Sequence, residues 1–429
     1  MPAAQAQATA VERRTPWFAD KPLSQYLLAS CIALIFLLAQ TWQHLRIPQF
    51  WAEDCLVFFA QAHELGAVAW LQPYAGYWHA LPRLAAQAAS LTSLLHAPLA
   101  ILLIDLLSRS LALGLLVLLP GRANFQFALG CLLFLCALLV PQSSEILANV
   151  ASAQWHLALA LLAAALICWQ PESSAGKFCL TLALSIIALS TPLAAAFIPL
   201  FGLRLWLSRQ PDCGSWRLSS FQQRLLMLLM LLGLIQLLTA ALTYSNAAAA
   251  SATLTPLDTL WRMLQRIVDP WRESLLLSVA LPIAALAGLA WSLRSRGPAR
   301  YAGLLLGAAL GLTLATIFVK LLGNPRPLTV PVGGDRYFWI PRLLIITLCL
   351  LPLSGVSKQI QPYGGALALC VLLLLQAASH MPLQKPAFVD EDWPRRSLRA
   401  EWTLAEHGFA ISRINPGLRC MIRAPASGD

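Results

Sequence analysis

Two adjacent carboxylates, Glu53 and Asp54, stand in the group Trp51-Ala52-Glu53-Asp54, directly after a stretch (22–45) that carries no formal charge. Beside a low-dielectric boundary, neighbouring acids acquire separated pKa values, and one of them can act as a general base or a metal ligand. Successive side chains on a helix point about 100° apart, so one of the pair faces a given site and the other faces elsewhere. The plain alternative is a solvated pair of loop acids. Pro73-Tyr74-Ala75-Gly76-Tyr77-Trp78-His79 and Pro82-Arg83 follow, and they make 46–83 the most unusual stretch of the chain.

A second set lies late in the chain, in Gly323-Asn324-Pro325-Arg326-Pro327 and in Gly333-Gly334-Asp335-Arg336-Tyr337-Phe338-Trp339-Ile340-Pro341-Arg342. Glycines permit a tight backbone there, and Arg326, Arg336 and Arg342 are suited to hold a phosphate through forked hydrogen bonds. The competing use of these arginines and aromatics is to anchor a span among lipid headgroups. Glu145, Asn149, Gln154, Trp155 and His156 form a third group, able to hydrogen-bond and stack on a sugar, or equally to serve as a loop and helix cap. His79 and His156 are lone histidines of the kind that is more often structural than catalytic. Asp105 and Arg109, at i,i+4, read as a buried structural pair, with an ion or proton path as the alternative. No Walker loop, HExxH, GxSxG or paired CxxC is present, so ATP-driven transport, zinc proteolysis and serine hydrolysis lose support.

The elements that must position these groups are membrane helices. Of 429 residues, 58% are hydrophobic and 11% charged, against roughly a quarter charged in soluble domains. A span needs about 20 apolar residues, and such windows recur between short clusters of Arg, Lys, Pro, Gly and Ser. The net charge of +11 is spread over these short loops, which reads as a topology signal beside anionic lipid instead of a nucleic-acid stripe. The chain is expected to be an all-α polytopic bundle of about eleven spans. Residues 1–24 would be a cytoplasmic leader, 25–381 the transmembrane domain with external loops at 46–83 and 320–337, and 382–429 a short external tail. A break at Thr191-Pro192 divides 178–206 into two short spans and keeps the following Arg-rich loop cytoplasmic. Residues 257–268, in which Trp261, Met263, Leu264 and Ile267 alternate with Arg262 and Arg266, suit a helix lying in the interface. Of ten cysteines, only Cys55 and Cys420 fall in segments assigned outside, which makes them the pair open to a disulfide.

Trp51-Ala52-Glu53-Asp54, then Pro73-Tyr74-Ala75-Gly76-Tyr77, the stretch 149–155 and Gly334-Asp335-Arg336-Tyr337-Phe338 together resemble the GT-C glycosyltransferases and related bacterial polytopic sugar-modifying proteins. The likeness covers most of the architecture. It implies transfer of a sugar from a polyprenyl-phosphate donor to an envelope glycan or lipid-linked acceptor on the external face of a bacterial inner membrane. The N-terminus would be cytoplasmic and the C-terminus external. By position, Asp54 or Glu53 would be the catalytic base. Arg336, with Arg326 and Arg342, would contact the donor phosphate, and Tyr74, Tyr77, His79, Asn149, Gln154, Trp155, Asp335 and Tyr337 would bind substrate. Membrane lipids are expected partners and nucleic acid is not, and a divalent cation is compatible with the resemblance. A transporter or flippase of a lipid-linked sugar, without catalysis, would use the same aromatics and arginines, with Asp105 and Arg109 more important than the first-loop acids. A scaffold within a membrane synthase complex would need no particular carboxylate.

Overall fold

The computed structural model describes residues 22–118, 124–142, 145–166, 169–243, 254–329, 334–355, 361–381, 389–414 and 417–424. The chain enters with α1 (Pro22–Gln40). A π-helical turn (Asp54–Phe59), the short α2 (Ala60–Leu65) and α3 (Ala80–Ser90) fill the first loop, and α4 (Ala97–Gly114) then runs on as a 3-10 turn to Leu118. There follow α5 (Asn124–Leu139), α6 (Gln154–Leu166), α7 (Ser174–Ala188), α8 (Ile198–Leu207) and α9 (Ser220–Thr243). Next are α10 (Pro256–Val268), α11 (Leu275–Arg294), α12 (Pro298–Gly323), α13 (Trp339–Ser354) and α14 (Gln361–Ala377). The tail contains α15 (Trp393–His407) and an antiparallel hairpin of β1 (Phe409–Ile414) and β2 (Leu418–Arg423), with Ile411 opposite Met421.

Among the described residues, six helices are long and apolar enough to cross a membrane: α1, α4 with its extension, α9, α11, α12 and the segment Asp335–Ser354 that contains α13. The count becomes seven if α7 and the arm Leu193–Leu207, bent by 104° where the Thr191-Pro192 break was expected, form one span. The other expected spans, α5, α6 and α14, are apolar but have 16, 13 and 17 residues. A 16-residue helix is about 24 Å long, short of a hydrocarbon core of roughly 30 Å. Hydropathy shows that such stretches are apolar, but it does not reveal where a helix stops.

Small residues let the long helices approach, as they do where leucine-lined faces gain nothing by leaving lipid. A Cβ on Gly288 of α11 would overlap the Leu348 carbonyl oxygen of α13, so the two backbones touch there. α10 opens on an N-cap, Thr255, whose Oγ1 accepts from Asp258 N at 3.1 Å and donates to Asp258 Oδ2 at 2.6 Å. Met263 and Ile267 of α10 pack with Ile317, Leu321 and Phe338, while Leu257, Trp261 and Leu264 stay exposed.

The tail is more than a polar extension. Ala410, Ile414, Cys420 and Ile422 turn inward while their neighbours face out, the period-two pattern of a half-buried hairpin. A disulfide between Cys55 and Cys420, 365 positions apart, ties this module to the residue beside Asp54. Trp393 meets Phe50 edge-on at 5.0 Å and donates from Nε1 to the Leu94 carbonyl, and Glu401 accepts from Leu94 N at 2.8 Å.

Candidate functional site

Three loops and the C-terminal module meet at one end of the bundle. In the first loop, Tyr74 and Tyr77 exchange backbone hydrogen bonds across Ala75 (φ 51°) and Gly76 (φ 88°). Two successive left-handed residues make a type I′ turn, which sets both tyrosines on the same side of a tight hairpin. His79 stacks on Tyr77 at 4.0 Å and touches Phe58 and Tyr74, with Nδ1 3.2 Å from the Tyr77 carbonyl. Burial in this aromatic box lowers its pKa to about 3, so the ring is neutral. Arg83 ties the loop to itself through Gln61 Oε1 and the Gln72 carbonyl. Gln236 of α9 receives Trp78 N at 2.9 Å and donates to the Trp78 and Ala188 carbonyls.

The two acids diverge, as adjacent residues on a helical turn must. Asp54 is 4% exposed and accepts from Ala151 N at 3.4 Å, against the 3-10 turn Val150–Ala153. Burial raises its pKa well above the usual carboxylate range, with Asp105 and Glu53 adding to the rise and the Ala151 and Val150 amides opposing it. Beside it is a cavity of about 10 Å³, the size that admits one water, walled by His44, Gln49, Phe50 and Asn149 but not by Arg336. Glu53 is only half-buried, and its charge is felt by Tyr74 and Arg336.

The second loop is held from below. Arg109 of α4 bonds Asp105 at 2.6 Å, the Ile146 and Asn149 carbonyls at 2.6 Å each, and His156 Nδ1 at 2.9 Å. Asn149 Oδ1 in turn caps the 3-10 turn through Ala151 N at 3.0 Å, so Asn149 and Asp54 share one amide. Gln154 accepts from the Tyr77 hydroxyl at 2.7 Å and joins the first loop to the second. Trp155 is buried, meets Tyr337 edge-on at 5.3 Å, and its indole N–H has no partner among the described residues.

The late loop supplies the cations. Tyr337 lies between Lys320 Nζ, 4.7 Å from its ring centre, and Arg336 Cζ, 5.5 Å from it. Among the described residues neither cation is ion-paired with a carboxylate. Glu145 accepts from Gly334 N at 3.2 Å. Burial lifts its pKa, while Arg336 and the Gly334 amide oppose the rise. Arg342 is different. It is 1% exposed, forks onto both Asp335 oxygens, and donates to the Ile267 and Arg266 carbonyls at the end of α10 and, more weakly, to Met381 Sδ. Every N–H of Arg342 has an acceptor, so Arg342 and Asp335 form a clamp with no donor left over for a phosphate. The side chain of Arg326 lies outside the described residues.

The structure therefore links Tyr77 to Gln154 by a hydrogen bond, Trp155 to Tyr337 and Arg336 to Tyr337 by ring contacts, and Glu53 to Tyr74 and Arg336 by charge. Asp54, His79, Asn149, Asp335 and Arg342 are buried and bonded within the loops as supports. Sequence reasoning missed Lys320, which reads as the flank of a span, and Gln236, lost within a leucine-rich run. An uncharged amide inside an apolar helix was the available signal for Gln236. Among the described residues no three His, Cys, Asp or Glu side chains converge to ligate a divalent cation. No protein-family model matches the chain, and neither does any curated protein or solved structure.

Proposed function

We propose that this protein is a GT-C-like membrane glycosyltransferase that moves a sugar from a polyprenyl phosphate to an envelope glycan or lipid-linked acceptor on the external face of a bacterial inner membrane. The observation that carries the reading is a first-loop carboxylate, Glu53, close enough for its charge to act on Arg336, which with Lys320 flanks the Tyr337 ring, neither cation being ion-paired with a carboxylate among the described residues. In this reading Glu53 takes the proton of the acceptor hydroxyl as its oxygen attacks the anomeric carbon. The bond from that carbon to the phosphate oxygen breaks, the electron pair leaves with the lipid phosphate, and Lys320 and Arg336 stabilise the charge. In this reading the Trp155 indole N–H and the Tyr74 and Tyr77 rings hold the sugar. Asp54 acts through position, fixing the first loop against the second.

Two further features support this reading. Cys55–Cys420 needs an oxidising compartment, which agrees with external placement of the site and of the C-terminus. α10 presents exposed Leu257, Trp261 and Leu264 beside the late loop, as an interfacial helix would, and that is the depth at which a lipid phosphate sits. In this reading the chain crosses the membrane eleven times, through the six long helices, both arms of the bent pair, and α5, α6 and α14.

The test is sugar transfer in membranes supplied with labelled polyprenyl-phosphate sugars, comparing wild type with Glu53→Gln, Arg336→Ala and Lys320→Ala at matched protein levels. Loss of turnover with retained donor binding in Glu53→Gln supports the transferase. Unchanged turnover in all three removes it, and transbilayer movement of the donor without transfer replaces it with a flippase.

A further inference from the structure

A second polar space lies in the C-terminal module, between α15 and β1. It has a volume of about 410 Å³, within the range of roughly 300–1,000 Å³ typical of small-ligand sites. The helix and its N-cap turn Asp392, Arg395, Arg396, Arg399 and Thr403 onto the groove, and β1 contributes Ile411 and Ser412. Ser412 is 5% exposed, and its hydroxyl has no hydrogen-bond partner among the described residues. A buried hydroxyl without a partner is unfavourable unless something else satisfies it.

The charges around that hydroxyl do not balance. Arg396 and Arg413 share one carboxylate, Glu391, each at 3.3 Å. Arg395 and Arg399 have no ion pair among the described residues, and Asp392, the N-cap of α15, is the one acid lining the groove against three arginines. Arg395 and Arg399 are one helical turn apart, so they are neighbours on the face that lines the groove. Trp402, 64% exposed, follows Arg399 by three positions and flanks the same face.

We infer that this groove is a binding site for an acidic saccharide, whose carboxylate or phosphate groups are held by Arg395 and Arg399 while a sugar hydroxyl pairs with Ser412. Guanidinium forks match such oxyanions in geometry as well as in charge. Trp402 offers a ring face for stacking. The oxyanion part of the inference stands on the groove alone, and only the choice of a saccharide rests on the transferase reading. Cys420 joins the module to Cys55, next to Asp54, so a chain held in the groove is tethered close to the first loop.

The experiment titrates the full-length protein, in nanodiscs of zwitterionic lipid, with a trigalacturonate, a neutral trisaccharide and inorganic phosphate, and reads binding calorimetrically. Trigalacturonate is expected to bind at least about tenfold more tightly than the neutral trisaccharide. Arg395→Ala/Arg399→Ala should abolish that preference, Ser412→Ala should weaken it, and Glu53→Gln should leave it intact. Arg395→Lys/Arg399→Lys, which keeps the charge and removes the forks, should also lose most of it, and this arm decides the matter if the alanine variant does not fold. Equal binding of acidic and neutral sugars, or unchanged binding in the arginine variants, overturns the proposal. So does loss of binding in Glu53→Gln, or capture of anionic phospholipid vesicles without any affinity for the soluble saccharide. Absence of sugar transfer with groove binding intact would sink the transferase and leave the groove standing.

Discussion

Arg336 and Arg342 lie six positions apart, yet they do different work. Arg342 is enclosed, and each of its donors meets a fixed acceptor on Asp335 or at the end of α10. Arg336 is less buried, has no ion-paired carboxylate among the described residues, and rests on the Tyr337 ring beside Lys320. Arg109 repeats the first pattern beneath the second loop, spending its donors on Asp105, two carbonyls and His156. The difference separates cations whose donors are all taken by fixed acceptors from a cation that touches Tyr337 and has no carboxylate ion pair among the described residues. Burial alone does not make that distinction. The acceptor inventory does, because a guanidinium bonded to backbone carbonyls has nothing further to offer a ligand.

The largest expected effect tests that distinction directly. Arg342→Ala leaves Asp335 as an uncompensated buried charge and frees the end of α10, a loss of about 3–5 kcal/mol that thermal unfolding in detergent would register. Arg336→Ala should change stability by less than about 1 kcal/mol and lower transfer by a factor on the order of 10²–10³. If both variants unfold alike, the division between clamp and contact is wrong.

His79 extends the comparison to pH, because it supports the first loop as Arg342 supports the late one. Its folded pKa of about 3 lies below the unfolded value near 6.5. The stability it contributes as a neutral ring is therefore present above pH 6.5 and drains away as the pH falls toward 3. Between pH 6.5 and 5 the loss should be roughly 2 kcal/mol, read from denaturation midpoints, and His79→Phe should flatten that part of the curve. An unchanged slope in the variant would show that another group titrates there.

The adjacent acids give a smaller contrast of the same kind. Asp54 has a raised folded pKa, so its contribution is complete below the unfolded value near 4 and lost as the pH rises through the folded one. At neutral pH the wild type bears that penalty. Asp54→Asn keeps an oxygen for the Ala151 amide and should raise stability by about 1 kcal/mol at pH 7, the gain fading on acidification. Glu53→Gln should leave the unfolding midpoint in place and remove turnover. A stable Asp54→Asn with no activity, beside an active Glu53→Gln, would exchange the two roles.

Much of the site was legible because polar and aromatic clusters stand out in a chain this apolar. Glu53–Asp54, Tyr74–Tyr77 and Arg336–Tyr337 were all visible as interruptions, and the structure brings them to one end. The sorting of arginines was not legible, since the acceptors of Arg342 lie 75 and 76 positions away in α10. Span number was legible only in part: six helices among the described residues have both the composition and the length of a span, whereas α5, α6 and α14 have the composition at shorter length. The tail hairpin did leave a trace. Phe409 to Ile414 and Leu418 to Arg423 alternate around Asn415-Pro416-Gly417, a turn signal that was overlooked beside the stronger helical periodicity.

The smallest effect concerns how the two tyrosines are presented. Ala75 occupies the first left-handed position of the Tyr74–Tyr77 turn, where a Cβ crowds the carbonyl and costs about 1 kcal/mol or more in an L-residue. Asn-Gly is the pair that such turns favour, because asparagine tolerates this conformation without glycine's loss of entropy on folding. Ala75→Asn should therefore add about 0.5 kcal/mol to stability with the Tyr77–Gln154 bond unchanged. If the turn exists only to shape the loop, turnover should be indifferent to the substitution. A fall in turnover at higher stability would mean that the strain at Ala75 lets Tyr74 and Tyr77 move during the cycle, placing this turn with Arg336 on the contact side of the comparison instead of among the clamps.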